Sequence, residues 1–184
     1  LPGVPAHFFA ESEKNVTSDS FVLNWPSEFL QQIRRTPPPL SLPNWEEKKI
    51  SLSDYRGSPL LIIFFLGGGC LHCVEQLTAF GPWAERYEEA GIPILAVSAD
   101  PVSILTETLS GETATGTTYP IPIVSDEALE SFQEWGVYDD FDGSAIHATF
   151  LLDAAGDTRW MEKGNAPYMH PDYLLYEAKR LLGR

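Results

Sequence analysis

Six consecutive apolar residues, Leu60-Leu61-Ile62-Ile63-Phe64-Phe65, run through Leu66 into three glycines and then Cys70-Leu71-His72-Cys73. A run that is apolar at both odd and even positions must be covered on both faces, so it predicts a central buried strand. Val74 to Phe80 follows as a helix-like segment. A strand that turns sharply into a helix puts Cys70 at the helix N-terminus. Unpaired N–H groups and the helix dipole there favour the thiolate over the thiol. The spacing lets the Cys73 sulfur attack a mixed disulfide formed at Cys70, which is a device for two-electron thiol–disulfide exchange. These are the only two cysteines in 184 residues, too few for a disulfide framework. His7, His72, His147 and His170 complete no known zinc spacing with them.

The rest of the chain supports a layered α/β reading. Ile50-Ser51-Leu52 resembles a short strand and Asp54 to Gly57 a turn. The helix after the cysteines shows Cys73, Val74, Leu77 and Phe80 on one face, is interrupted at Gly81-Pro82, resumes from Trp83 to Ala90 and ends at Gly91. Ile92 to Ser98 reads as a second buried strand, and Asp100-Pro101 opens a helix to about Leu109. Ser110 to Thr118, rich in Thr and Gly, reads as a mobile loop. Ile121 to Val124 is a short strand. Ser125 is expected to cap a helix that starts at Asp126-Glu127 and stops at Gly136. Thr149 to Asp153 and Thr158 to Met161, joined by Ala155-Gly156-Asp157, read as an antiparallel hairpin. Asp172 to Leu182 closes the chain as an amphipathic helix with Tyr173, Leu174, Tyr176, Leu181 and Leu182 as its apolar positions. The expected architecture is a mixed central β-sheet with helices on both faces. Residues 1–39 read differently: a short helix from Ser27 to Arg34, then Pro37-Pro38-Pro39, form an N-terminal extension ahead of a domain at 40–184.

Composition narrows the partners. A hydrophobic fraction of 43%, with five Trp, seven Tyr and ten Phe, can fill a core. A net charge of -14 argues against nucleic acid and anionic membrane surfaces. No apolar run reaches membrane-spanning length. The chain starts at Leu1 without a signal pattern and reads as a processed product, with an exported or periplasmic setting slightly favoured over the cytoplasm. No phosphate-cradling loop is present, so no nucleotide or organic cofactor is implied.

Four segments in this order resemble the thioredoxin superfamily and, within it, redoxins of the alkyl hydroperoxide reductase/thiol-specific antioxidant (AhpC/TSA) type. They are Ile50 to Gly57, Cys70 to Cys73, Ala96 to Pro101, and Ala148 to Asp153 with Gly156. The resemblance implies a thioredoxin fold and either disulfide oxidoreductase or thiol peroxidase activity. Peroxiredoxins carry Pro-x-x-x-Thr-x-x-Cys. With Cys73 as the attacking sulfur the threonine and proline places hold Cys70 and Leu66; with Cys70 they hold Gly67 and Ile63. The family arginine falls at His147. The groups that polarise peroxide are thus missing, and disulfide exchange is the favoured reading, with Cys70 as nucleophile and Cys73 as resolving thiol. Protein or small-molecule thiols and disulfides are the expected partners, with peroxide the alternative substrate.

His72 and His147 complete the candidate site. A histidine just before the second cysteine is similar to the periplasmic disulfide oxidases. Its charge would stabilise a Cys70 thiolate and raise the potential above that of thioredoxin. His147 occupies the place of the thioredoxin cis-proline, where a trans bond is expected before a non-proline residue. It should lie near Cys70 as a base or charge partner. The acids that serve the second cysteine in relatives are replaced by Phe64 and Gln76, and Glu75 is expected to face solvent. A third reading is a copper or zinc carrier using Cys70, Cys73 and His147, since soft thiolates with an imidazole suit either ion.

Overall fold

The structure, a computed structural model, describes residues 36–110 and 120–184. The proposed helix at Ser27 to Arg34 and most of the Thr/Gly-rich loop after Ser110 lie outside the described residues. Strands β1 (Ser41–Pro43) and β2 (Lys49–Ser51) form an antiparallel ribbon ahead of β3 (Leu60–Phe65), whose bounds coincide with the apolar run. The helices α1 (Leu71–Phe80) and α2 (Ala84–Glu89) follow, then β4 (Ile94–Ser98) and α3 (Val102–Ser110). Next come β5 (Ile123–Ser125), the short helix α4 (Glu130–Glu134) and a small ribbon of β6 (Tyr138–Asp139) and β7 (Ser144–Ala145). The chain ends with β8 (His147–Leu152), β9 (Thr158–Gly164) and α5 (Pro171–Leu181).

The main sheet has the order β5-β4-β3-β8-β9. β3 is its middle strand, parallel to β4 and antiparallel to β8, and all six of its residues are buried. Alternation along β3 sorts the core into two layers. Leu61, Ile63 and Phe65 face a cluster with Cys73, Leu77 and Phe80 of α1, Tyr87 of α2 and Leu174, Leu175 and Ala178 of α5. Leu60, Ile62 and Phe64 face the other, with Phe132, Trp135, Val137 and Phe150. Phe64 sits among rings there, at 5.1 Å from Phe132 and 5.7 Å from Phe150 between centroids, both edge-on. Each of the large aliphatic and phenylalanine side chains among these contributes roughly 1.5–3 kcal/mol by leaving water, so the two layers together fix the register in which β3 sits between them.

Several local expectations need correction. Ser125 is a strand residue and caps nothing: its hydroxyl donates to the Asp100 carbonyl at 2.7 Å. Residues 126–129 form a turn with Leu129 at φ 58°, and the helix starts only at Glu130. The buried Asp126 carboxylate accepts the Phe132 N–H at 2.9 Å, so an acidic residue does serve this helix, from further upstream than a cap would. On α5, Tyr173 and Tyr176 are 60% and 66% exposed. The inward stripe is Pro171, Leu174, Leu175 and Ala178, the i, i+3, i+4, i+7 set, and the tyrosines fall to its flanks. On α1 the fourth inward position is Gln76, with Val74 half-buried. The second buried strand starts at Ile94 instead of Ile92. The ribbon partner of β2 went unread because Ser41–Pro43 carries a proline and follows three others. The Gly81-Pro82 interruption is a single 3-10 turn, Gly81–Trp83, and Gly91 closes α2 at φ 66°.

Candidate functional site

The site is assembled where β3 ends. Gly67 adopts φ 111°, and a Cβ there would overlap the Asp100 carboxylate, so glycine is required twice over. The Gly68 N–H donates to Asp100 Oδ2 at 2.7 Å. Asp100 is itself held, its N–H donating to Ser98 Oγ at 3.0 Å and its carbonyl accepting from Ser125. The glycine turn is therefore pinned to the ends of β4 and β5, which lie beside β3 in the sheet.

Cys70 is the N-cap of α1, with extended dihedrals of φ -95° and ψ 111°. Its carbonyl accepts the N–H groups of Cys73 and Val74, and its Sγ accepts the Cys73 N–H at 3.4 Å. This helix-end donor points at the Cys70 sulfur. Cys70 is half-buried; Cys73, one turn into the helix, is fully buried, and its Sγ accepts the Leu66 N–H at 3.3 Å. Both cysteines are free thiols.

His147 comes to them from β8. Ala148 faces the far layer, so alternation turns His147 toward α1. Its Nε2 lies 3.1 Å from Cys73 Sγ and 3.8 Å from Cys70 Sγ. The two sulfurs and the imidazole nitrogen all fall within 4.8 Å of one another. No peptide bond among the described residues is cis, in keeping with the trans expectation before His147. The ring is 4% exposed, and Nδ1 has no hydrogen-bond partner.

Burial sets the proton positions. It pushes the Cys73 thiol up to about 12; the adjacent Cys70 sulfur adds to this, and the Leu66 and Gly67 N–H groups oppose it. Burial also lowers the pKa of His147; the Asn165 backbone opposes that and the charge of His72 reinforces it. At neutral pH the pair is thus a thiol beside a neutral imidazole, and Nε2 is placed to accept the S–H proton.

His72 stands apart. It is on the outer side of α1, 72% exposed, with Nδ1 3.2 Å from the Glu75 carboxylate. No hydrogen bond among the described residues joins it to either sulfur. Glu75 faces solvent, as expected. Gln76 is buried, its Nε2 donating to the Tyr168 carbonyl at 3.1 Å while Oε1 has no partner. Phe64 belongs to the layer across the sheet. Asp100 is the residue that sequence reasoning missed. The sequence shows it as a helix opener and as part of the Ala96 to Pro101 segment, while its contact with Gly68 spans 32 positions of chain.

Residues 33–161 match the model of the AhpC/TSA family, and the chain belongs to that family. It is 30% identical over 124 residues to a chloroplastic peroxiredoxin Q of Sedum lineare, covering 66% of this chain and 63% of that protein. It is 32% identical over 145 residues to peroxiredoxin-4 of Dictyostelium discoideum, covering 74% of this chain and 56% of that protein. The chain thus spans less than two thirds of the length of these relatives. The reduced 2-Cys peroxiredoxin of Plasmodium vivax superposes with a TM-score of 0.71 at 15% identity, over 81% of this chain and 95% of that one, which establishes the thioredoxin-like fold. No helix among the described residues is long and apolar enough to cross a membrane.

Proposed function

We propose that this chain is a thiol-based oxidoreductase whose working groups are Cys70 and Cys73, with His147 as the proton acceptor for Cys73. The observation that carries this reading is the triangle of two sulfurs and one imidazole nitrogen within 4.8 Å, with one sulfur partly open to solvent and the other sealed behind it. In the exchange step the Cys70 thiolate attacks a substrate disulfide, forming a mixed disulfide and releasing one substrate thiolate. The Cys73 sulfur then attacks the Cys70 sulfur. Its proton passes to His147 Nε2, the second substrate thiolate leaves, and the Cys70–Cys73 disulfide remains. Electrons run the other way when the disulfide is the oxidant. Leu71, 70% exposed beside Cys70, gives an apolar contact for an approaching protein thiol or disulfide.

The names of the relatives favour a second reading, in which peroxide is the oxidant. One cysteine thiolate would cleave the O–O bond to give a sulfenic acid and hydroxide, and the other thiol would condense with it, losing water. Peroxide-polarising groups of the peroxiredoxin pattern are replaced here by Cys70 and His147. The exchange reading therefore expects wild type, Cys70→Ser and Cys73→Ser to consume peroxide no faster than a free thiol. A wild-type rate orders of magnitude above that, lost in one serine variant, would establish the peroxidase. The exchange reading is tested directly by Cys73→Ser, which should accumulate a stable mixed disulfide at Cys70 with a small-molecule disulfide; failure to trap it defeats the assignment.

On this reading His72 acts on the site only from the outer side of α1. Its Nδ1 lies 3.2 Å from the Glu75 carboxylate, an exposed contact that competes with any pairing to Cys70. Direction of electron flow is then set by the substrate couple and the Cys70–Cys73 midpoint.

A further inference from the structure

We infer that the reduced site is also a metal site: Cys70 Sγ, Cys73 Sγ and His147 Nε2 form a three-donor pocket for a soft ion of the zinc(II) or copper(I) class, which the disulfide abolishes. The inference uses the side chains of the exchange reading but does not depend on exchange occurring.

A base for Cys73 alone needs to reach only the Cys73 sulfur. Here a buried imidazole presents the same nitrogen to both, at 3.1 and 3.8 Å. The ring is buried, and the Asn165 backbone lies close enough to act on it, so the imidazole is held in place beside both sulfurs. Thiolate sulfur at 2.3 Å and imidazole nitrogen at 2.0–2.1 Å from a tetrahedral ion lie about 3.6 Å apart. The observed sulfur–nitrogen separations bracket that value, and the two sulfurs lie within 4.8 Å of each other. Two thiolates and an imidazole select soft or borderline d10 ions over calcium or magnesium. The donors come from α1 and β8, both anchored in the core, so the set is assembled before an ion arrives. Cys70 is half-buried, which leaves a fourth position for water, a small thiol or a partner's ligand.

The coupling to redox state follows from the bonds. Binding requires both sulfurs deprotonated and releases their protons. When a small-molecule disulfide oxidises the bound pair, the two thiolates give up two electrons and join. The oxidant leaves as two thiolates, and the ion keeps its charge and loses two of three ligands. By reciprocity, an ion that binds only the reduced form makes the disulfide more oxidising. At an ion concentration of about 100 times the dissociation constant, the equilibrium moves about 100-fold, or about 60 mV for a two-electron couple.

The test uses reduced wild-type protein, handled without oxygen and titrated with zinc against a chromophoric chelator and with copper(I) against a copper(I)-selective one. The expected result is one equivalent bound for at least one ion. Affinity should fall at least about tenfold in His147→Ala, and binding should vanish in the Cys70–Cys73 disulfide form. Cobalt(II) supplies a readout without a variant, since its visible bands report tetrahedral geometry and its near-ultraviolet bands report thiolate ligation. No stoichiometric binding to the reduced wild type overturns the proposal. So does equal affinity in a folded His147→Ala, or a cobalt spectrum without thiolate bands. Disulfide formation is followed in the same metal-free samples. No metal binding by the reduced wild type, with disulfide formation intact, defeats this proposal alone; failure to form the disulfide defeats the exchange reading instead.

Discussion

At the scale of single residues, two buried groups decide the chemistry. Cys73 is sealed and its thiol is pushed up to about 12, so it should be inert to alkylating reagents while Cys70 reacts. Iodoacetamide at about pH 8 should label Cys70 and leave Cys73 unmodified, as read by peptide mass spectrometry; equal labelling of both in the native state would contradict the burial argument. The raised Cys73 pKa also fixes a sign. Between 9.0 and about 12 the unfolded chain has lost the proton that the native state keeps. Stability is therefore full below pH 9.0 and falls as pH rises through that window. His147 works on the acid side. Its native pKa lies below 6.5, so under acidification the unfolded chain binds the proton first, and stability declines as pH drops below 6.5. His147→Gln should flatten that decline in urea unfolding at pH 5 against pH 7. The same substitution should slow closure of the Cys70–Cys73 disulfide about 100-fold, within the range for loss of a positioned base. An unchanged closure rate would leave His147 a space-filling residue.

At the scale of elements, the turn between β3 and α1 is where backbone geometry and chemistry meet. Gly67→Ala should cost about 1–3 kcal/mol, because it forces a side chain into a left-handed backbone and against Asp100. Urea unfolding measures this, and a cost below a few tenths of a kcal/mol would show that the turn relaxes freely. What could be read from the sequence follows the range of each interaction. The run Leu60–Phe65 announced β3 because its burial on both faces is written in consecutive residues. The break at Gly81-Pro82 and the stop at Gly91 are local backbone constraints, equally plain. The start of α4 was misjudged because Asp126 reaches Phe132 across a turn that places Leu129 at positive φ, which no capping pattern encodes. Tyr173 and Tyr176 read as core in the sequence because a tyrosine's apolar ring looks the same there whether it faces inward or out. Asp100 was missed because its role depends on the parallel pairing of β3 with β4.

At the scale of the whole molecule, the sheet separates structural and chemical duties. The layer holding Phe64, Phe132, Trp135 and Phe150 contains no group of the site, while the opposite layer contains Cys73 and packs against Cys70. Phe64→Ala should therefore lower stability by about 3–5 kcal/mol, the range for deleting a core aromatic ring. It should leave the Cys70-over-Cys73 labelling preference intact in the folded fraction. Loss of that preference at unchanged stability would mean that the layers are coupled more tightly than the packing indicates. The chain keeps the AhpC/TSA scaffold, and in the proposed function the residues at the end of β3 and the start of β8 supply the chemistry.

The most direct test is an equilibrium redox titration of the purified protein in thiol/disulfide buffers, with the state of Cys70 and Cys73 read by alkylation and mass spectrometry. The expected result is one two-electron transition to an intramolecular Cys70–Cys73 disulfide, absent from Cys70→Ser and from Cys73→Ser. Failure of the two sulfurs to bond to each other at any poise, with Cys73 remaining a free thiol throughout, would contradict the assignment.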